Sequence, residues 1–367
     1  MAFQPDSGGR KPGLTPRDQG PVGETMNKGL RVTIQDVAAR AGVTAMTVSR
    51  VLNGSHRVAP ETRQRIQSAI DELGYIPNAL ARGLLTGRTR TIGLLVDDIG
   101  NPYWTAVASG AEDAGQRAGY SLVVGNIGGS EVREEQLIRT LVGNRVDGLL
   151  INAASGRPLT QLMKSNYPFV LIGPEHKGVR SDVVRGDVYA GIVGLAGHLL
   201  SLGHRKIALL NGPKGDFESR ERVRGFTKTL AAAGVGSPLV ANGTFDYRGG
   251  YDAATALLSL PARERPRSIV AANNFLALSV IEAARELNLR IPEDVALVCF
   301  DDFVFAAVID PFLTVMSQPA RLLGQQAADL LLKRLDDPAG WQPTKLIHPP
   351  ELIVRRSCGS KSGRRER

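Results

Sequence analysis

The stretch from residue 44 to residue 53 places small polar side chains and one arginine on the outward face of a predicted helix. Its inward face is apolar, because Val48, Val51 and Leu52 recur at helical spacing. The outward side chains that could contact DNA are those of Thr44, Ala45, Met46, Thr47, Ser49, Arg50 and Asn53. Hydroxyl and amide groups can bond phosphates, Arg50 can bond both acceptors of a guanine edge, and Met46 offers an apolar contact. A solvated face would normally carry Glu and Lys, so the pattern favours a DNA groove.

A second group of polar and aromatic residues follows predicted strands. Its members are Tyr103, Trp104, Arg220, Phe245, Asn273 and Asp301. Ligands of open parallel sheets bind beyond the carboxyl ends of the strands. An arginine offers paired donors, an aspartate can accept two neighbouring hydroxyls, and an aromatic ring can stack on a sugar. Together these groups favour a polyhydroxylated ligand over a purine.

Several alternatives for this second group stay open. The ligand could be a sugar acid or a phosphorylated sugar, with Arg220 or His176 helping to bind the anion. The adjacent aromatics Tyr103 and Trp104 could belong to the core, and Arg220 could be an ordinary surface residue. Asp302, next to Asp301, is predicted to cap a helix.

Three short helices must position the DNA-facing residues. Thr33 and Asp36 form the pattern of a capping box, and Gly42 provides a tight turn. Thr44 can cap the second helix, and Pro60 suits the first turn of the third. This arrangement predicts a helix-turn-helix domain over residues 31–76, with Arg57 and Arg63 adding positive charge toward phosphates.

From residue 91 onward, short branched apolar segments alternate with amphipathic helices. The predicted strands are 92–96, 121–125, 146–151, 169–172, 206–210, 268–271 and 295–300. This alternation predicts parallel sheets covered by helices on both faces. Two sheets fit, one over about 91–185 and one over about 190–315, and a last helix near 321–335 could return to the first. Residues 91–355 are therefore predicted to form a two-lobed α/β domain.

The charge is concentrated at the two ends of the 367-residue chain. Residues 1–90 contain 13 Lys and Arg against 7 Asp and Glu, and residues 355–367 contain 6 against 1, while the segment between them is nearly neutral. A basic N-terminal segment followed by a nearly neutral domain indicates that the N-terminal segment binds a polyanion. We predict a disordered extension over 1–30, a hinge helix and linker over 77–90 and a disordered basic tail over 356–367.

Other classes of protein receive little support. The chain has no phosphate-binding glycine loop, no nucleophile elbow and no His cluster with metal spacing, so we expect no enzyme, no cofactor and no metal site. Cys299 and Cys358 lie too far apart to suggest a disulfide framework. The N-terminus lacks an apolar signal segment, and no apolar run is long enough for a membrane span, so a cytoplasmic location is expected.

Several stretches of the chain resemble the lactose/galactose repressor family. They are VTIQDVAARAGVTAMTVSRVLNG, YIPNALARGL, IGLLVDDIGNPYW, RVDGLLI, LGHRKIALLNGP, IPEDVALVCFDD and LTVMSQP, and the resemblance covers roughly residues 31–356. It implies a helix-turn-helix headpiece, a hinge helix and a two-lobed domain like that of periplasmic binding proteins.

The resemblance also implies roles for particular residues. Ala45 and Met46 match the positions that set operator preference, and Leu84 matches a leucine that wedges into the minor groove, although it could instead pack against the protein. The residues that match the family's effector cleft are Tyr103, Trp104, Arg220, Phe245, Asn273, Asp301 and Gln318.

The function implied is a homodimeric repressor of carbohydrate-metabolism genes. It would bind a pseudo-palindromic operator and be controlled by a sugar or sugar derivative held between the lobes. The alternative is a solute-binding protein for a sugar without a DNA role. Such a protein would need a signal peptide and no headpiece, which is the opposite of what this sequence contains.

Overall fold

The computed structural model describes residues 32–52, 57–76, 87–236, 238–308 and 312–360. The chain divides into two compact units, residues 1–79 and residues 80–367. The predictions made for residues 1–30, for Asn53 and for Leu84 with most of its hinge segment lie outside the described residues.

The first unit contains three helices, and the predicted helix-turn-helix is confirmed. They are α1 (Ile34–Ala41), α2 (Ala45–Leu52) and α3 (Pro60–Leu73). A small core holds them together, formed by Val37, Ala38, Ala41, Val48, Val51, Ile66 and Ala69. Its members lie at helical spacing on each element, so burial of one apolar face of each helix determines their packing.

Local signals set the ends of these helices. The Thr33 hydroxyl accepts a hydrogen bond from Asp36 N, and the Asp36 carboxylate accepts one from Thr33 N at 2.8 Å, which completes a capping box. Gly42 ends α1 with φ of 64°, a backbone conformation that favours glycine. Arg40 and Glu72 form an ion pair at 2.6 Å between α1 and α3.

The second unit begins with a six-stranded parallel sheet, which we call the first lobe. Its strands are β1 (Thr91–Val96), β2 (Ser121–Asn126), β3 (Gly148–Ile151), β4 (Phe169–Ile172), β5 (Asp182–Gly186) and β11 (Lys345–His348). They lie in the order β11-β5-β4-β3-β1-β2. The helices of this lobe are α4 (Pro102–Arg117), α5 (Glu131–Gly143), α6 (Arg157–Lys164) and α11 (Ala320–Asp336).

A second six-stranded sheet forms the second lobe. Its strands are β6 (Ile207–Asn211), β7 (Leu239–Asn242), β8 (Ser268–Ala271), β9 (Ala296–Phe300), β10 (Thr314–Ser317) and β12 (Glu351–Ile353). They lie in the order β12-β10-β9-β8-β6-β7, and β12 alone is antiparallel to its neighbour. The helices are α7 (Val188–Ser201), α8 (Phe217–Ala232), α9 (Tyr247–Leu258) and α10 (Asn274–Glu286), with a 3₁₀ turn at Val304–Ala307.

The chain passes between the lobes three times. The crossings lie between β5 and α7, between β10 and α11, and between β11 and β12. Two of them are joined where Asp187 N donates to the His348 carbonyl at 2.8 Å. Gly186 and Gln318 bring two crossings together, because a Cβ on Gly186 would overlap the Gln318 side-chain oxygen.

The predicted two-lobed α/β architecture is confirmed, including the return of α11 to the first lobe, where it packs on α4 and contributes Leu323, Ala327 and Leu331 to the core. The sequence did not predict the strands β5, β7, β10, β11 and β12. These strands have only three to five residues, and polar side chains interrupt most of them, so their apolar signal is weak. No helix in the described ranges is both long and apolar enough to cross a bilayer.

The prediction of a disordered tail from residue 356 is wrong for its first residues. Ser357 and Cys358 are both buried. The Ser357 hydroxyl donates to the Leu297 carbonyl at 2.6 Å and accepts from Thr314 N at 2.8 Å. His198 contacts the Cys358 sulfur at 3.3 Å, and His204 contacts the Cys358 carbonyl at 3.1 Å. Residues 361–367 lie outside the described residues.

These contacts predict different effects for two truncations. Removing residues 356–367 takes Cys358 out of the second-lobe core and removes the Ser357 hydroxyl that bonds the Leu297 carbonyl and Thr314 N. We expect the melting temperature to fall by about 5 °C or more, since each such hydrogen bond contributes about 1 kcal/mol. Removing only residues 361–367 is the control and should leave the melting temperature unchanged. Equal melting temperatures for the two truncations in differential scanning calorimetry would contradict this account.

Candidate functional site

The outward face of α2 is the candidate DNA-contacting surface. Met46 is 63% exposed and Arg50 is exposed, whereas Ala45, Thr47 and Ser49 are half-buried. The Thr44 hydroxyl accepts from Thr47 N at 3.3 Å, and the two threonine hydroxyls lie 3.0 Å apart. Thr44 therefore caps the helix as predicted. The small neighbours leave Met46 and Arg50 as the side chains that project furthest.

The rim of this surface is less fully described. Arg57 is exposed at the start of the segment before α3. Asn53 and Leu84, the remaining predicted DNA contacts, lie outside the described residues. The roles of all these residues toward DNA stay predictions.

The second candidate site lies between the lobes, beyond the carboxyl ends of the parallel strands. Tyr103, Asp301 and Gln318 line a cavity of about 500 Å³, together with the start of α11. Three of the seven residues predicted for the effector cleft thus meet here. The other four, Trp104, Arg220, Phe245 and Asn273, are not in the lining of this cavity.

Asp301 is a buried carboxylate held in an unusual backbone conformation. It directly follows β9 and has φ of 71°, in the left-handed region that few non-glycine residues adopt. Its side chain accepts a hydrogen bond from Gln318 Nε2 at 2.7 Å. Burial raises the pKa of Asp301 to about 7, although the bond from Gln318 and the charge of Arg222 both act to lower this pKa.

The arginine whose charge acts on Asp301 is Arg222 and not the predicted Arg220. Arg220 is exposed and donates to the carbonyl of Gly215 in the loop before α8. Arg222 is 3% exposed, and its charge acts on Asp301 and Tyr103. The reason is helical phase, because residues two apart on α8 point to nearly opposite sides. Spacing from the buried Ser219 and Phe226 could have identified Arg222 in the sequence.

The Arg222 side chain is held in place by its neighbours, but not all of its hydrogen-bond donors are used. Its Nη2 donates to Glu218 at 3.1 Å, and its guanidinium lies 5.5 Å from the ring centre of Phe245 and 5.1 Å from that of Phe300. The Nε and Nη1 atoms are buried and have no hydrogen-bond partner in the described part of the chain. Two buried donors without partners are costly, so they indicate a ligand or water at this position.

Phe245 and Asn273 form one local unit. Asn273 caps α10 by accepting from Leu276 N at 2.8 Å, and its amide donates to the Phe245 carbonyl at 3.0 Å. The Phe245 ring lies over Gly212, where any Cβ would overlap it. Asn273 therefore positions the aromatic ring, and these two bonds use half of the hydrogen-bonding capacity of its side chain.

The two aromatics at the start of α4 have different surroundings. Tyr103 lines the cavity, and burial raises the pKa of its hydroxyl well above the usual range. Trp104 is half-buried and packs on the first-lobe core, with its ring edge-on to Tyr103 at 4.9 Å between centroids. Both aromatics pack on the first-lobe core, and only Tyr103 of the two also lines the cavity. Their roles toward an effector stay predictions.

Sequence reasoning overlooked one contact and misassigned another. Asn274 donates to the Asn101 side chain at 2.9 Å, which joins the lobes, and both residues are buried. Asp302 does not cap a helix as predicted, because it forms an ion pair with Arg355 at 3.0 Å. Neither contact has a sequence signal, since the partners are 173 and 53 positions apart.

Comparisons with known proteins match both units. A model of the lacI family of bacterial regulatory proteins matches residues 33–78, and a model of the periplasmic binding protein-like domain matches residues 196–358. The HTH-type transcriptional repressor PurR of Photobacterium profundum is 33% identical over 89% of this chain and 98% of its own. The ribose operon repressor of Escherichia coli is 34% identical over 89% of this chain and 99% of its own.

Solved structures are also similar to this chain over most of its length. The lac repressor dimer bound to operator and an anti-inducer has a TM-score of 0.78 and 27% identity, covering 90% of this chain and 99% of its own. A complex of the transcriptional regulator CelR with cellobiose has a TM-score of 0.66 and 33% identity, covering 89% of this chain and 100% of its own. The chain belongs to the lacI family of bacterial regulatory proteins.

Proposed function

We propose that this protein is a DNA-binding transcriptional repressor whose operator affinity is controlled by a neutral sugar bound between its lobes. The observation that carries the proposal is a buried arginine, Arg222, whose unused donors lie beside the Phe245 ring and whose charge acts on the buried Asp301, in the same chain as a helix-turn-helix. The repressor relatives and the sugar named with CelR agree with it. A solute-binding protein without a DNA role is not favoured, because the headpiece would then have no use.

The charge of the crevice supports a neutral ligand over an anion. Besides burial, neighbouring carboxylates raise the pKa of three acids near the crevice: Asp98 and Asp216 act on Asp97, Asp216 acts on Glu218, and Glu218 acts on Asp301. Arg222 and Arg185 act in the opposite direction on Glu218, and Arg321 in the cavity lining is already paired with Asp113. Burial lowers the pKa of His176, so this residue is neutral at pH 7 and adds no positive charge. A sugar acid or sugar phosphate would meet repulsion here, whereas sugar hydroxyls can donate to the carboxylates.

For DNA, we propose that α2 enters the major groove. The exposed Met46 and Arg50 would contact bases, while the hydroxyls of Thr44, Thr47 and Ser49 and the charge of Arg57 would contact phosphates. Asn53 and Leu84 complete this proposed set, with Leu84 as a minor-groove wedge. A repressor working on the bacterial chromosome would be cytoplasmic, and we propose no enzymatic activity for it.

We further propose a homodimer, since a two-fold protein matches a pseudo-palindromic operator. Apolar surface is available on both lobes. Val123 and Val124 on the edge strand β2 are 43% and 40% exposed. Val304, Phe305 and Val308 are 84%, 62% and 68% exposed around the 3₁₀ turn. Exposed apolar groups at a sheet edge and a turn suit contact with a second copy.

Arg50→Ala tests base reading. We expect it to reduce discrimination between the preferred operator and single-base variants by about 1–3 kcal/mol, because a bidentate arginine–guanine contact is lost. The operator would be selected from random duplexes and binding measured by fluorescence anisotropy at fixed salt. Arg57→Ala is the comparison and should weaken all sequences alike. An unchanged ranking of operator variants in Arg50→Ala would remove Arg50 from the base-reading set.

Arg222→Gln and Arg220→Gln form a matched pair for the effector. Tryptophan fluorescence would be titrated with D-ribose, cellobiose, D-gluconate and ribose 5-phosphate. We expect a neutral sugar to bind the wild type and to release operator or tighten its binding. This response should be lost in Arg222→Gln and kept in Arg220→Gln, because Arg222 is buried with unpartnered donors whereas Arg220 is exposed. A preference for gluconate or the phosphate, or equal losses in both variants, would contradict the proposal.

The pKa of Asp301 predicts how sugar affinity depends on pH. The ionised carboxylate accepts the sugar hydroxyls, and a folded-state pKa of about 7 means that binding must expel a proton below that pH. Affinity should therefore fall from pH 8 to pH 6, by at most about tenfold per pH unit below 7. Asp301→Asn should bind the sugar weakly and with an affinity that no longer depends on pH in this range. Glu218→Gln measures how much of the pH dependence comes from Glu218. A flat affinity profile in the wild type would contradict this role.

A further inference from the structure

The two lobes are connected by a side-chain hydrogen bond between buried amides. Asn101 begins α4 in the first lobe and is 8% exposed, and Asn274 begins α10 in the second lobe and is 1% exposed. Asn274 Nδ2 lies 2.9 Å from Asn101 Oδ1. This bond does not involve the three crossings of the chain, so it can form or break when the lobes move against each other.

The orientation of both amides follows from the hydrogen-bond network. Asn101 caps α4, and its Oδ1 accepts from Tyr103 N at 2.9 Å. The atom that faces Asn274 is therefore an oxygen, so Asn274 must present its NH₂ group. A rotated Asn101 amide would lose the cap, which fixes the orientation of the pair.

This orientation leaves one acceptor unused. Asn274 Oδ1 is buried and has no hydrogen-bond partner among the residues that the structure describes. Its chain neighbour Asn273 holds Phe245, and Tyr103 lies two positions after Asn101. The two bonded asparagines are therefore close in sequence to residues that hold or form two aromatic side chains of the candidate site. An unsatisfied buried acceptor destabilises this arrangement of the lobes, which we call closed because Asn101 and Asn274 are bonded in it, until a donor reaches the oxygen.

We propose that Asn274 couples lobe closure to effector occupancy. Its Nδ2 bonds Asn101 only when the lobes are closed, and its Oδ1 accepts a hydroxyl of the bound sugar. The sugar then binds the closed arrangement better than the open one, which is the differential affinity that a ligand-controlled switch requires. This inference rests on the proposed function for the identity of the ligand, but the closure itself does not depend on it.

Two substitutions of Asn274 separate these two bonds from general damage. Asn274→Asp has nearly the same shape, yet it places a carboxylate oxygen against Asn101 Oδ1, and two acceptors repel each other. Asn274→Ala removes both bonds. Asn144→Asp is the matched control, because Asn144 is an exposed residue after α5. Circular dichroism and melting temperatures would establish that every variant folds.

Lobe closure can be measured without any ligand. Both native cysteines are buried, so spin labels can be attached to Arg139→Cys in the first lobe and Lys228→Cys in the second, both exposed positions. Pulsed electron paramagnetic resonance then gives the interlobe distance. We expect Asn274→Asp to shift the distribution to longer distances, while Asn144→Asp keeps the wild-type one. Identical distributions in the wild type and both Asn274 variants would overturn the closure contact.

Sugar binding tests the second bond. D-ribose and cellobiose would be titrated by tryptophan fluorescence, and we expect Asn274→Ala to weaken the wild-type ligand about tenfold or more, with little change in Asn144→Asp. Equal affinities in the wild type and Asn274→Ala would overturn the acceptor role. If neither sugar binds the wild type, the proposed ligand class has failed, and the interlobe distances alone decide whether Asn274 joins the lobes.

Discussion

The threefold passage of the chain between its sheets is the constraint on which the rest of the second unit depends. It limits the lobes to motions about one line, where Asp187 is bonded to His348 and Gln318 packs over Gly186. Gln318 also donates to Asp301, so a residue of the crossings directly touches a residue of the crevice. A movement of the lobes about these crossings can therefore change the surroundings of Asp301, and a ligand at Asp301 biases that movement if it binds one arrangement better than the other.

The crevice contains polar groups that the protein does not satisfy by itself. Asp301 is buried with a raised pKa, and two buried donors of Arg222 lack partners in the described chain. Each of these features is destabilising on its own, as is the left-handed backbone of Asp301. A ligand with several hydroxyls can satisfy donors and acceptors together. The cost of maintaining such a site is a reason to regard it as functional rather than structural.

In the helix-turn-helix domain, the residues that stabilise the fold and the residues proposed to contact DNA lie on opposite faces of one short helix. Val48 and Val51 bury one face of α2, while Met46 and Arg50 project from the other. The Thr44 cap satisfies the first turn locally, so the outward face needs few long side chains for stability. Binding residues can then vary without disturbing the core, which suits a surface that must distinguish between operators.

Sequence alone determined the features that depend on neighbouring residues. The capping box, the turn at Gly42, seven strands and the two-lobed α/β architecture follow from spacing and from apolar periodicity, which are local properties of the chain. Only the tertiary structure decided which groups from distant segments meet. Because of helical phase, Arg222 is buried and Arg220 is not. Cys358, which the sequence placed in a disordered tail, is buried in the second lobe. Packing of the two lobes brings Asn101 and Asn274 into contact. Such contacts depend on the path of the whole chain and on desolvation, and no local pattern encodes them.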